Sequence, residues 1–392
     1  MRNEGKPKGR SFANGGGAGF PVRMLGWIAI CGMVSLGIAA PGPFLAGAER
    51  EFPNLVALGR THAVGSSQGL PTTIVYFDHE SGNHYGQGKL KLRLDTVVLT
   101  AEMAHPLTPS FSVAYGSRLV ALVEGAPFSL YRDGEHLDAI TFRGNSGGVA
   151  LMGRWFPENP WGFDLEAEHR GHHFSPNEDT VPGFNLPPDF GLNEARGVVH
   201  RHGWWGEEEA RLTLKAVWGA RSGFRDWELD PEAEEKTRYT RQELYLEQPF
   251  TWSEFQHTLI DLRGGAGRHL DQFSGFGVGG AFGQNPLPGY FRNEYRPRRF
   301  GVLSVSHRFT FAEDRLLTLL AGGAWLREMD LSFLEGPPPS RTLGSVGFRI
   351  RIGIRAWGGL PVIFGVYEGL NVPESSLEDH RREAILIVAA GF

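Results

Sequence analysis

The stretch GFRIRIGIRAW, residues Gly347 to Trp357, decides the fold. Phe348, Ile350, Ile352, Ile354 and Ala356 share one parity, and Arg349, Arg351, Gly353 and Arg355 share the other. Side chains of a β-strand alternate between two faces, so this segment reads as a strand with one large apolar face and one face carrying three guanidinium groups. Two solvent arrangements reward that pattern. A soluble sandwich puts the Ile row in its core and the Arg row in water. An outer-membrane barrel puts the Ile row against lipid and the Arg row in a wet lumen.

The same alternation recurs along the chain. In FDLEAEHR, Phe163, Leu165 and Ala167 oppose Asp164, Glu166, Glu168 and Arg170; in RLTLKAVW, Leu212, Leu214, Ala216 and Trp218 oppose Arg211, Thr213 and Lys215. LSVSHRFTF repeats it over Leu303 to Phe311, with His307 interrupting the apolar side. A helix would require spacings of three and four, which these segments lack. Connections supply the second signal. Short links at 157–162, 204–210, 249–254, 311–315 and 357–361 take turns with long polar stretches at about 126–137, 175–193, 224–237, 265–297, 329–341 and 371–382. Strict sorting of tight turns to one rim and long loops to the other belongs to a transmembrane barrel, whereas a sandwich has no reason for it.

The reading is therefore all-β: a transmembrane antiparallel β-barrel of about 14 to 16 strands, with short periplasmic turns and long extracellular loops. Fourteen strands are counted between Thr72 and Phe392, and FPNLVALGRTHAV (52–64) adds a hairpin, a periplasmic lead-in or a plug. The 54 Gly, 27 Phe and 10 Trp suit close-packed strands and interfacial girdles better than a helical globule.

Residues 1–48 read as an export signal, 49–69 as the lead-in or first hairpin, and 70–392 as the barrel. Arg2, Lys6, Lys8, Arg10 and Arg23 form a basic leader, Met24 to Ala40 an apolar core, and Ala46-Gly47-Ala48 a small-residue cleavage site. The alternative is an uncleaved anchor, since about 17 apolar residues reach the lower limit for spanning a bilayer. The only cysteine, Cys31, lies in that apolar core, so the mature chain is expected to hold no disulfide and no cysteine metal site. The leader carries net +4 of an overall −5, which leaves the mature chain near −9, without the clustered basic residues of a nucleic-acid surface. At the other end, EAILIVAAGF aligns Ala384, Leu386, Val388 and Ala390 with the terminal Phe392. That row reads as the lipid face of the last strand and the signal for the outer-membrane assembly machinery.

Residues 255–311 are more particular. After the strand FQHTLIDLRGG comes FGVGG (Phe276 to Gly280), then LPGYF (Leu287 to Phe291), then the strand FGVLSVSHRFTF. This order resembles the bacterial surface antigen family, the outer-membrane insertases and two-partner-secretion translocases. Those proteins carry a Phe-x-Leu-Gly-Gly element followed by a Leu/Val-Arg-Gly-Tyr/Phe motif folded inward from a long extracellular loop. The resemblance covers roughly the last 140 residues. It implies an inward loop built on Phe276, Gly279, Gly280, Leu287, Gly289 and Tyr290, a weakly closed seam between first and last strands, and a role in membrane assembly or translocation. In the family the loop arginine pairs with an acid on a neighbouring strand; here Pro288 stands at the arginine position and LLAGGAW (Leu319 to Trp325) holds no acid. Losing both partners together is physically coherent, because one buried charge without the other is strongly destabilising. About 20 residues lie between the cleavage site and the first clear strand, so the family's periplasmic docking domains are expected to be absent.

Other motifs carry less. GNSGG (Gly144 to Gly148) spells a hydrolase elbow around Ser146, but strand on both sides favours a glycine kink or bulge. GFGVGG (Gly275 to Gly280) lacks the helix a dinucleotide site needs. His169, His172, His173, His200 and His202 read as solvated lumen or loop residues rather than metal ligands. Asp164, Glu166 and Glu168, with Arg349, Arg351 and Arg355 elsewhere, suggest a lumen of opposed charges, which also fits a passive porin-like channel. An enzyme acting on lipid rests only on Ser146 and the histidines. No catalytic residue, metal or cofactor is assigned. The expected partners are outer-membrane lipid and lipopolysaccharide, the assembly machinery, and a client protein or small solutes.

Overall fold

The computed structural model describes residues 54–64, 73–84, 88–95, 98–108, 110–120, 126–128, 131–132, 135–136, 142–156, 160–178, 180–204, 207–227, 230, 233–280, 284–290, 295–312, 315–327, 340–355, 361–372 and 382–391. Sixteen antiparallel strands follow in order: β1 (Asn54–Val64), β2 (Thr73–His84), β3 (Gly88–Asp95), β4 (Val98–Thr108), β5 (Phe111–Val120), β6 (Phe142–Trp155), β7 (Trp161–Pro176), β8 (Phe190–Trp204), β9 (Glu207–Ser222), β10 (Arg238–Ser253), β11 (Gln256–Arg268), β12 (Arg299–Ala312), β13 (Arg315–Arg327), β14 (Ser340–Arg355), β15 (Pro361–Val372) and β16 (Arg382–Gly391). Each pairs with the next, and β1 pairs with both β2 and β16, so the sheet closes on itself. A three-residue strand, Ala126–Phe128, hydrogen-bonds beside β5 to the start of β6.

The parity of the opening stretch is the parity of the wall. Ile350, Ile352 and Ile354 are 39, 43 and 47% exposed, while Leu343 and Ser345, on the parity of Arg349 and Arg351, are 8 and 2% exposed. Leu165, Leu214, Trp218, Leu303, Val366 and Leu386 stand outward in the same way. A continuous apolar exterior of this extent is far beyond the patch a water-soluble monomer tolerates. Its height also matches a bilayer. From Arg315 at the turn rim to the outward Trp325 is about 33 Å of strand, or roughly 25 Å along the axis at a barrel's usual tilt. Trp155, Trp161, Trp252, Phe255 and Phe311 are exposed around the turn rim, where amphipathic rings sit at the level of lipid headgroups.

Several expectations are corrected. The barrel begins at Asn54 rather than near residue 70: 54–64 is one strand of the ring, and fifteen rather than fourteen strands follow it between Thr73 and Gly391, sixteen in all. The turn after β10 is tighter than the sequence suggested. Pro249–Ser253 continues β10, and the reversal is confined to 254–255, because Phe250 and Trp252 keep the outward parity up to the rim. Alternation of short and long connections fails once, at 96–97, where Asp95 and Val98 pair directly across a two-residue link on the loop side. The stretch GNSGG forms no bulge against β7, where Gly144 to Gly148 runs in unbroken register; on the other side Ser146 to Gly148 pair with β5 and Gly144 with Ala126. Gly148 sits where an added Cβ would lie 2.4 Å from the His169 carbonyl, so close strand approach is what requires glycine there. The first-to-last seam is not weakly closed. It is paired continuously from Leu55↔Gly391 to Val64↔Arg382, whereas the β1–β2 ladder stops at Arg60↔Thr73.

Candidate functional site

The long connection 269–298 between β11 and β12 turns into the barrel. Its apolar residues supply the reason: Phe276, Val278, Leu287 and Tyr290 are at most 3% exposed and join the inner residues Phe300, Val302, Ala324, Leu326 and Leu343 in one core. Full burial of such side chains contributes about 1.5–3 kcal/mol each. The loop folds back on itself. Val278 and Tyr295 exchange backbone hydrogen bonds (2.9 and 3.0 Å), and the amide of Gly279 donates to the Asn285 carbonyl (3.1 Å). Asn285, fully buried, donates from its side chain to the Gly277 carbonyl at 2.9 Å.

The tip of the loop docks on a track of wall glycines. Gly347 of β14 and Gly369 of β15 face each other in the ladder, and the missing side chains leave a notch on the inner wall. Pro288 and Gly289 fill it: a Cβ added at Gly369 would lie 2.5 Å from the Gly289 nitrogen and 2.9 Å from the Pro288 Cβ. Leu287 packs at Gly322 of β13, whose added Cβ would be 3.3 Å from its Cδ1. Gly289 has φ +81°, a conformation other residues reach only with strain, and an added Cβ would be 2.2 Å from backbone atoms of Leu370 and Asn371. The Tyr290 hydroxyl donates to the Gly344 carbonyl at 3.1 Å. The tip is thus held by shape, and the contacts that seat it are a glycine notch and one neutral hydrogen bond.

Polar anchors hold the base of the loop. Arg221, at the loop end of β9, pairs with Asp271 at 2.8 Å, each side chain being 1% exposed. Arg221 also donates to the Lys236 carbonyl (2.6 Å) and lies over the rings of Phe224 and Tyr239 at 4.6 and 4.5 Å. Asp271 accepts from the amide and hydroxyl of Ser274 at 2.9 and 2.6 Å. Arg241 donates to the Ser274 carbonyl (3.1 Å) and Arg263 to the Gln284 carbonyl (2.9 Å). Beside these, Phe142, Phe174, Phe190, Phe224, Trp227 and Phe273 stack edge and face into an aromatic lid over the β6–β10 sector.

Below the lid the inner wall is charged. Glu166 and Glu168 point inward as expected, but they meet neighbours on the same wall. Arg196 donates to Glu166 (3.0 Å), Glu168 (2.8 Å) and Glu194 (2.7 Å), and Arg170 donates to Glu168 (2.5 Å). The ladder continues through Tyr239 donating to Glu194, Lys215 paired with Glu243, Tyr245 donating to Glu243, and Arg263 paired with Asp261. Asp164 lies 3.6 Å from His200. The opposition across the lumen read from the sequence is therefore replaced by pairing between adjacent strands, because register brings Arg196 directly opposite Glu166. Arg349 and Arg351 are inward on β14; the side chain of Arg355 and the residue Phe392 lie outside the described residues.

No protein-family model and no curated protein matches the chain. Solved structures do. CdiB from Acinetobacter baumannii superposes with TM-score 0.56 at 10% identity, over 86% of this chain and 60% of that one. CdiB from Escherichia coli gives 0.54 at 14% identity, over 86 and 63%. BamA from Haemophilus ducreyi, solved without POTRA domains 1–3, gives 0.52 at 9%, over 86 and 70%. The chain is a transmembrane β-barrel of the outer-membrane type. It spans about 60% of the length of the CdiB structures, and at these identities the likeness is one of fold.

Within this outer-membrane barrel the motif residues Phe276, Gly279, Gly280, Leu287, Gly289 and Tyr290 come together inside the lumen, and Leu386 and Val388 face outward from β16. The histidines do not converge. His169 bonds the outward Asn193 at 2.8 Å, His172 stacks on Phe190 at 4.4 Å, and His200 stacks on Phe156. Ser146 is in register with His172 but buried in the wall. Sequence reasoning missed Arg221, Asp271, Arg241 and Arg263; the available signal was arginine at inward parity on strands flanking the long loop.

One contact at the loop rim predicts a pH response. The Nδ1–H of His173 donates to Asp189 at 2.7 Å and, with the Phe174 amide at 3.0 Å, holds that carboxyl below the usual carboxylate range. A depressed folded-state pKa gives stability that is present above the unfolded value and lost as pH falls through the folded one. The tie of residue 189 to the end of β7 should thus still hold at about pH 4, where an ordinary aspartate is half protonated, and open only on further acidification. Hydrogen exchange at the Phe174 amide should show this, with Asp189→Asn already open at the higher pH.

Proposed function

We propose that this barrel acts in the assembly or translocation of outer-membrane proteins, with the 269–298 loop as a plug that must be released from the glycine notch to admit a client. The observation that carries the reading is the docking of Leu287 to Tyr290 against the inner wall of β13–β15. The fold shared with CdiB and BamA supports it. The loop is ordered by backbone shape rather than by a buried ion pair at its tip, so displacing the tip strands no charge. The test is reconstitution of the full chain in liposomes with an unfolded barrel added from urea. The proposal expects faster folding of that barrel than in empty liposomes of the same lipid; equal rates would count against it. A passive channel is the second reading, favoured by the paired charges of the β7–β11 wall. It requires steady conductance from the wild-type protein in planar bilayers, and silence there excludes it.

A further inference from the structure

We infer that the turn rim carries a phospholipid site, built on Arg201 and Trp161, that takes the phosphate of a lipid with a net negative headgroup. The two residues are directly paired across β7 and β8, both on the outward parity. Trp161 stands exposed in the girdle, and the row above it holds Phe163, stacked on Trp155 at 5.2 Å. The Arg201 guanidinium lies 5.4 Å from the centre of the Trp161 ring. Among the described residues that ring is its only partner, and its Nε is shielded from solvent without a hydrogen bond.

A cation in a lipid-facing row is costly unless it reaches the interface, so its depth has a purpose. At the level of the girdle the available anions are lipid phosphates. A guanidinium braced on an aromatic face presents its remaining N–H groups in the fork geometry that a phosphodiester accepts. The ring leaves the charge uncompensated, since a π-face attracts a cation but carries no net charge. The absence of an ion pair on Arg201 among the described residues also sets the selectivity. With no carboxylate engaged there to receive an ammonium, a headgroup such as phosphatidylglycerol is favoured over phosphatidylcholine. The inference is independent of the proposed function.

Native mass spectrometry of the folded chain in a nonionic detergent tests it, with phosphatidylglycerol and phosphatidylcholine of the same acyl chains as probes. The wild type should retain phosphatidylglycerol preferentially, and Arg201→Gln should reduce that preference about tenfold, the size of one charge-assisted contact. Arg201→Lys should recover part of it, because a point charge replaces the fork. Folding of each variant is checked by its heat-modifiable gel mobility. Arg268→Gln, on the outward parity at the opposite rim, controls for net charge. An unchanged lipid ratio in Arg201→Gln overturns the site, and so does an equal loss in Arg268→Gln.

Discussion

Gly289→Val should expel the loop tip from the lumen while leaving the barrel wall folded. Valine at φ +81° meets the backbone cost of a left-handed residue, about 1–2 kcal/mol, before any contact is considered. Its Cβ would then stand 2.2 Å from the Asn371 nitrogen and the Leu370 carbonyl carbon. Those are backbone atoms of β15, held in the ladder to β14 at both residues and in the ladder to β16 at Leu370, so they cannot yield as a side chain could. The combined penalty should exceed about 3 kcal/mol, more than a hundredfold in the docked population. Protease added outside the membrane should cut within 269–298 in the variant and spare the wild type, with heat-modifiable mobility unchanged. Gly369→Leu fills the same notch from the wall and should give the same cleavage. Loop protection persisting in both variants would show that the notch does not hold the tip.

Asp271→Ala should loosen the base of the loop by about 3–5 kcal/mol, since it leaves Arg221 charged in a site where both side chains are 1% exposed. In hydrogen exchange this is an increase of at least a hundredfold at the Ser274 and Gly275 amides, which bond the side chain and carbonyl of Asp271. The aromatic rings around Arg221 soften the loss but bring no anion. Arg221→Met with Asp271→Leu should cost less than Asp271→Ala alone, because apolar groups of similar volume often replace a buried pair without penalty. A double variant as loose as the sum of its single variants would mean that the two residues act separately.

How much of this was legible depends on the range of the interaction. Alternation at Ile350, Ile352 and Ile354 reports solvent directly, because a strand's period of two leaves each side chain one face to occupy. The loop motif was legible only through its resemblance to a known pattern; which of its glycines take positive φ, namely Gly279, Gly280 and Gly289 but not Gly275 or Gly277, appears only in the structure. The pairing partners were not legible. Arg196 binds Glu166 because β7 and β8 slide into one register among several that keep the same parity. Arg221 and Asp271 lie fifty residues apart, and nothing local marks them as a pair. The segment 54–64 could not be assigned either, since a closing strand gains its hydrogen bonds from a β16 partner more than 300 residues away.

The sequence by itself determined that this chain forms a membrane barrel and, in its alternating strands, which face meets lipid; the inward loop was only what a resemblance implied. Only the tertiary structure decided where that loop docks, which charges meet and how the ring closes. Solvent acts on each side chain singly and is written into its neighbours along the chain. A notch made by two opposed glycines, or a guanidinium between two carboxylates, exists only once distant strands have come into register.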